Sequence, residues 1–343
     1  MEERRNRMYR SIFILCIMVT ALLFVFSGFS NAQTWKPEKP VNLIVPWGAG
    51  GSTDQVTRIV AGELEDALGQ KIVAVNQPGA SGTVGTKTVM DAKKDGYYWT
   101  SGAAGDLGTY IVKGFLETKI EDWHLYLDVA NVMVVSVNPG TPYKDFGELL
   151  KAFKDNPGKI TVATAGEVSM GAVAIEAIKK NSGIQYKHVS YDGGNPAVIA
   201  TVSGETQVTP QLAVEQVDMI RANKLRPLAV LADEDLNLKG YGTIPSIKKW
   251  LPNMKTLPSY FGIFVPKGVP NEVIQRLDNL WVTVIAKSTK LKDYANDRGA
   301  LFAPYYGKEA QERVFPFIQF TAWLFWDAGK AKTKPDTVGI PRP

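Results

Sequence analysis

Short apolar runs, each followed by a glycine-rich polar loop and then by apolar residues at helical spacing, recur along most of this chain. Residues 41–45 form the first run and predict a strand buried on both faces. Trp47-Gly48-Ala49-Gly50-Gly51-Ser52-Thr53-Asp54 follows. Val56, Ile59, Val60, Leu64, Ala67 and Leu68 then mark one face of a helix, with Gly69 as its stop. Residues 72–75 predict a second strand, 78–82 its loop and 83–92 a helix. After the turn at 93–96, residues 97–101 predict a third strand that runs into Gly102-Ala103-Ala104-Gly105.

The β-branched run 129–137 predicts a single strand crossing from one half of the chain to the other. Beyond it the alternation resumes. Residues 143–153 predict a helix, and 159–164 a strand running into Ala165-Gly166-Glu167-Val168-Ser169. Ser169 is placed to cap the helix that carries Val173, Ala174, Ala177 and Ile178. Residues 187–191 predict another strand, and Asp192-Gly193-Gly194-Asn195-Pro196 a turn with Asn195 as N-cap and Pro196 as first helical residue. Residues 225–231 and 261–265 predict further strands, the first of them a return strand. Strands alternating with helices imply an α/β fold with largely parallel sheets, and such sheets take ligands beyond the carboxyl ends of their strands. Every glycine-rich loop named above lies at that end. Because the crossing segments come in a pair, one lobe is expected from 33–134 plus 233–343 and a second from 135–232.

The N-terminus stands apart from this pattern. Arg4, Arg5, Arg7 and Arg10 precede an apolar stretch over 12–26, and Ser30-Asn31-Ala32 places small residues where a secretory cleavage site needs them. Residues 1–32 are therefore expected to be a signal peptide; the stretch is short for a membrane anchor. Cys16, the one cysteine, would leave with it, so neither disulfide nor thiol chemistry is expected in the mature protein. A net charge of +5 with no long basic run does not point to nucleic acid, and fits a small anionic ligand without requiring one.

The candidate chemistry centres on residues 48–54. Glycines let the backbone approach a ligand, and the helix start beyond them offers unpaired N–H groups and a partial positive charge, so an anion can be held without lysine or arginine. Ser52 and Thr53 add hydroxyls. Asp54 is expected to face away and bond loop amides. The plainer alternative is that the glycines only fit a tight turn. A nucleotide loop is disfavoured, since no lysine follows Gly51 and Thr53 stands where a dinucleotide fingerprint needs glycine. Thr164 to Met170 repeats the same ingredients, and Tyr191 to Asn195 adds a phenol and an amide. If the lobes oppose, two helix N-termini would suit a dicarboxylate. Enzyme signatures are thin: His124 and His188 are the two histidines, no G-x-S-x-G occurs, and His188 falls in a predicted strand. No catalytic residue, metal site or cofactor is expected, although a secreted hydrolase using His188 stays open. The aromatic residues between Phe315 and Trp326 read as a helix packing on the first lobe, whereas Trp47 at the mouth of the glycine loop could wall a ligand.

Residues 39–54, from Lys39-Pro40-Val41-Asn42 through Gly50-Gly51-Ser52-Thr53-Asp54, resemble the N-terminal motif of the tripartite tricarboxylate transporter solute-binding family, also called the Bug family. The resemblance continues through Asn76-Gln77-Pro78-Gly79-Ala80-Ser81-Gly82, Val189-Ser190-Tyr191-Asp192-Gly193, Lys224-Leu225-Arg226-Pro227-Leu228-Ala229-Val230 and Gly262-Ile263-Phe264-Val265-Pro266-Lys267-Gly268. It implies a two-lobed periplasmic-binding-protein (Venus flytrap) fold, each lobe a mostly parallel sheet flanked by helices with the ligand cleft between. It also implies a periplasmic location and delivery of a small organic (di)carboxylate to membrane transporter subunits; the chain is expected as a monomer. By position it points to Trp47, Ala49, Gly50, Ser52 and Thr53 in the first lobe and Thr164, Ala165, Gly166, Ser169 and Tyr191 in the second. Three departures bear on the ligand. Ala103-Ala104-Gly105-Asp106 replaces a hydroxyl-rich loop, Thr209-Pro210-Gln211-Leu212 with Glu215 beyond replaces an Asp-Asn-like pair, and Trp47 replaces a common Phe. A mono-anion, an amide-bearing solute and a zwitterion all stay open. So does a sensor role, in which the closed form docks on a membrane receptor.

Overall fold

The computed structural model describes residues 35–343; the expected signal peptide lies outside the described residues. Two mixed sheets organise the rest. The first contains β1 (Val41–Val45), β2 (Ile72–Asn76), β3 (Tyr98–Ala103), β4 (Trp123–Asn131), β12 (Ser259–Pro266) and β13 (Leu301–Phe302), in the order β13-β4-β12-β3-β1-β2. The second contains β5 (Val134–Val137), β6 (Thr161–Thr164), β7 (Lys187–Ser190), β8 (Val208–Thr209) and β9 (Arg226–Val230), in the order β7-β6-β8-β5-β9. A small hairpin, β10 (Leu236–Leu238) and β11 (Gly242–Ile244), lies between β9 and β12 in sequence.

Each sheet is parallel where strands alternate with helices and antiparallel where the crossing strands enter. β1 pairs in parallel with β2 and β3, while β12 runs antiparallel to β3 and β4. β6 pairs in parallel with β7 and β8, while β5 runs antiparallel to β8 and β9. A strand that has crossed from the other half arrives from the opposite direction, and pairs accordingly.

The run 129–137 is two strands, not one. β4 ends at Asn131 in the first sheet and β5 begins at Val134 in the second. The chain changes sheets at Val132-Met133, where Met133 bridges Leu212. The unbroken β-branched run hides this switch, because every residue in it suits a strand in either sheet.

The helices follow the apolar spacing. α1 (Ser52–Leu68) buries Val56, Val60, Leu64 and Leu68 against the first sheet, where Leu43 and Trp99 are fully buried. α2 (Thr83–Asp91) and α3 (Ala104–Lys113) follow β2 and β3, and α4 (Phe146–Asp155) starts behind Asp145, whose carboxylate accepts from the Glu148 amide. α5 (Met170–Ser182) begins as expected, with Ser169 Oγ accepting from the Ala172 amide at 3.4 Å. α6 (Gly194–Val202) begins before the expected cap: Gly193 is the N-cap, and Asn195 and Pro196 sit within the first turn. Proline is tolerated there because its missing N–H would be unpaired anyway. α7 (Ala213–Arg221) packs with α6 on the second core, which includes Val134, Val198, Val217 and Val230.

α8 (Asn271–Thr283) packs on β4, where Trp281 Nε1 donates to the Leu127 carbonyl at 2.6 Å, and α9 (Thr289–Arg298) packs on β13 and β4. α10 (Gly307–Asp327) carries the late aromatic residues. It packs on α3 and β4, as the spacing indicates, and also touches α5 of the second half, where Lys180 pairs with Asp327 at 2.9 Å.

Candidate functional site

The loop after β1, the N-terminus of α1, the first turn of α3 and β12 approach the loop after β6 and the starts of α6 and α7. They enclose a cavity of about 30 Å³. Trp47, Ser52, Thr53 and Asp106 contribute from the first half, and Ala165, Ser169, Gln211 and Glu215 from the second. Direct contacts close the two halves on each other. The Gly48 amide donates to the Asp192 carbonyl at 3.3 Å, and the Glu167 amide to Ser81 Oγ at 3.1 Å. A second, more open cavity of about 430 Å³ lies between Ser81, Thr83 and Phe115 on one side and Gly166, Glu167 and Tyr191 on the other.

Asp54 behaves as expected. Its carboxylate accepts from the Gly50 amide at 2.9 Å, and Arg58 and Asn76 bond its other oxygen. Burial opposes its charge, but Arg58, the Gly50 amide and Asn76 outweigh that and hold its pKa below the usual carboxylate range. The glycine loop is thus tied down from behind by an acid that does not line the inner cavity.

The anion position at the start of α1 is taken by the protein itself. The Ser52 amide and hydroxyl both donate to Glu215 Oε1, at 3.3 and 2.9 Å. Glu215 reaches this point because residue 194 is glycine: a Cβ there would lie 2.0 Å from the same oxygen. Burial pushes the Glu215 carboxyl up, against the lowering effect of Ser52. Asp106 lines the same cavity, is 5% exposed, and its Oδ1 has no hydrogen-bond partner. Burial first, and the charge of Glu215 second, push its carboxyl well above the usual range. Gln211 lies against the start of α5, where a Cβ on Gly171 would meet its Oε1 at 2.3 Å, and its Nε2 is unpartnered. Among the described residues, no lysine, arginine or histidine lines this cavity.

The predicted residues divide between the two spaces. Trp47, Ser52, Thr53, Ala165 and Ser169 line the inner cavity; Gly166 and Tyr191 line the outer one. Ala49 and Gly50 lie on the exposed side of the loop, Gly50 beside Asn195. Thr164 is fully buried under the loop, with Oγ1 3.1 Å from the Gly166 carbonyl and 2.6 Å from His188 Nε2. That is the hydroxyl His188 meets, and burial followed by the charge of Lys330 lowers its pKa. The hydrolase alternative needed a serine there. Asp106, Gln211 and Glu215 were visible in the sequence only as departures from the family pattern; long-range folding brings them together.

The family model described as "Tripartite tricarboxylate transporter family receptor" matches residues 56–319. This chain belongs to that family. The receptor is 28% identical over 253 residues to protein BugT of Bordetella pertussis, covering 72% of this chain and 76% of BugT. It superposes on the periplasmic binding protein BugD with a TM-score of 0.77 at 26% identity, covering 87% of this chain and 100% of that one. MatC from Rhodopseudomonas palustris, whose structure holds malate, shares the fold with a TM-score of 0.75 at 24% identity, over 83% of this chain and 99% of that one. BugD is a binding protein and the family is one of receptors; this receptor is not an enzyme.

Proposed function

We propose that this receptor works in the periplasm, closing its two lobes on a small organic acid and presenting it to the membrane subunits of a tripartite transporter. One observation carries the reading: helix starts and loops from both sheets converge on one inner cavity that no lysine, arginine or histidine lines, where a solute would meet Trp47, Thr53, the Gln211 amide and the carboxyls of Asp106 and Glu215. The lobes proposed for this closure are 33–134 with 233–343, and 135–232. Trp47, Ser52, Thr53, Ala165 and Ser169 would contact the solute's inner end, and Gly166 and Tyr191 its outer end. Ala49, Gly50 and Thr164 would shape the loops that hold it. The N-terminal 32 residues would be the export signal, and the mature receptor a monomer. MatC and its malate support an acid as the solute class.

The test is native mass spectrometry of the gently purified receptor, followed by thermal-shift measurement with each organic acid found and a panel of others. A solute present at a hundredfold over its Kd stabilises by about 2.7 kcal/mol, which a melting curve resolves. A co-purified acid that raises the melting temperature supports the reading. If no acid, amide or amino acid does so, the receptor reading is lost.

A further inference from the structure

We propose, building on the receptor reading, that the inner cavity takes the protonated amine of a zwitterionic organic acid. Asp106 and Glu215 would be its acceptors, and the Gln211 amide a donor to the solute's carboxylate.

Charge balance is the first argument. Two carboxyl side chains face one cavity, Asp106 buried and Glu215 partly buried, with no lysine, arginine or histidine among its lining residues. Buried charges are normally paired, and an unpaired one is expensive. Burial drives both carboxyls toward their neutral forms; a solute that is only an anion cannot offset this, whereas an ammonium beside them favours the ionised carboxylates and pairs with them.

Hydrogen bonding gives the second argument. Asp106 Oδ1 is an acceptor and Gln211 Nε2 a donor; both line the cavity and neither has a partner in the protein. Buried polar atoms are almost always paired, and these two are the unpartnered ones among the described residues that also line this cavity, which makes them the groups a ligand would bond. An unpartnered carboxyl oxygen and an unpartnered amide donor lining one cavity complement a molecule with an amine and a carboxylate. Glu215 Oε1 is already engaged by Ser52, which fixes that carboxylate in place.

Size agrees. About 30 Å³ admits a head group, since a water needs roughly 10–15 Å³ of such space, and leaves no room for a whole dicarboxylate with the lobes this close. Glycine at 194 and 171 is what lets Glu215 and Gln211 lie against the helix starts. The lobes would part to admit the rest of the solute.

The experiment is calorimetric titration of the receptor with pairs of acids that differ only in the amine: succinate and aspartate, glutarate and glutamate, propionate and β-alanine. The amino member of at least one pair should bind more than about tenfold tighter. Asp106→Asn and Glu215→Gln should each erase most of that preference. Unliganded Asp106→Asn should melt no lower than wild type, which separates lost recognition from misfolding. Equal or tighter binding of the amine-free acids overturns the amine assignment and leaves the receptor reading intact. No binding by either member of any pair, with no co-purified solute, overturns both.

Discussion

Asp106 and Asp54 are carboxylates near the same loop, and their surroundings push them in opposite directions. Asp106 is pushed up, first by burial and then by Glu215. A carboxyl whose folded pKa exceeds its unfolded value, about 3.9, stabilises the fold fully below that value; the contribution is lost as pH rises through the folded value. The unliganded receptor is therefore expected to melt higher near pH 5 than near pH 8. Asp128 contributes in the same direction, since burial pushes its carboxyl to about 7. The part due to Asp106 is isolated by Asp106→Asn, which should flatten the slope of melting temperature against pH; an unchanged slope would show that the acid carries no unpaired charge. Asp54 has the opposite sign, its stabilisation being present above the ordinary carboxylate pKa and lost on acidification. Asp54→Asn should cost about 1–3 kcal/mol at neutral pH, through the charge-assisted bonds to the Gly50 amide and Arg58, read from denaturant melts. The Asp54 role was legible in the sequence, because a carboxylate four residues beyond Gly50 in a first helical turn reaches back to loop amides. The convergence of Asp106, Gln211 and Glu215 was not, because those residues lie far apart in sequence and meet only through tertiary contacts.

Helix starts are where the elements of this receptor touch the site. Ser169 was readable as a cap because its hydroxyl acts locally, three residues from its partner. The start of α6 was misplaced at Asn195-Pro196, because the cap pattern fits there equally well; Gly193 takes the role instead. The two-sheet switch at Val132-Met133 was hidden for a related reason, since strand propensity does not say which sheet a strand joins. α6 also shows what tertiary packing adds. Gly194 leaves room for the Glu215 carboxylate from α7, and a Cβ there would stand 2.0 Å from Oε1. Gly194→Ala is expected to displace Glu215 from Ser52 and destabilise by about 1–3 kcal/mol, as overpacking does. In a Glu215→Ala background the same substitution should cost much less, because the clashing group is gone. Denaturant melts of the four proteins would check this. An additive result would mean that Gly194 serves the α6 backbone and not the carboxylate.

The lobe closure proposed above would draw on contacts between the two halves. Lys113 on α3 is 3% exposed and pairs with Glu167 of the opposite loop at 3.5 Å. Its ammonium also lies 4.6 Å from the centre of the Phe325 ring. Burial lowers the Lys113 pKa and Glu167 partly restores it, so the carboxylate compensates for desolvation that closure itself imposes. Glu167 is largely exposed, and solvent screening limits what the pair contributes by itself. The larger effect of removing it is on Lys113, which would be desolvated in the closed form and hydrated in the open one. Glu167→Ala is therefore expected to shift the unliganded receptor toward an open form, with a larger radius of gyration in X-ray scattering. Apparent affinity should fall about in proportion to the closed fraction, a loss of a few-fold, because binding draws on that fraction. Selectivity should not change. Glu167 lines the outer cavity and not the inner one, so the ratio of amino to amine-free acid should match wild type. Unaltered scattering with unaltered affinity would place the energy of closure elsewhere, in the Ser52–Glu215 and Gly48–Asp192 contacts. A changed ratio would mean that the charge of Glu167 acts on the solute's amine from the outer cavity.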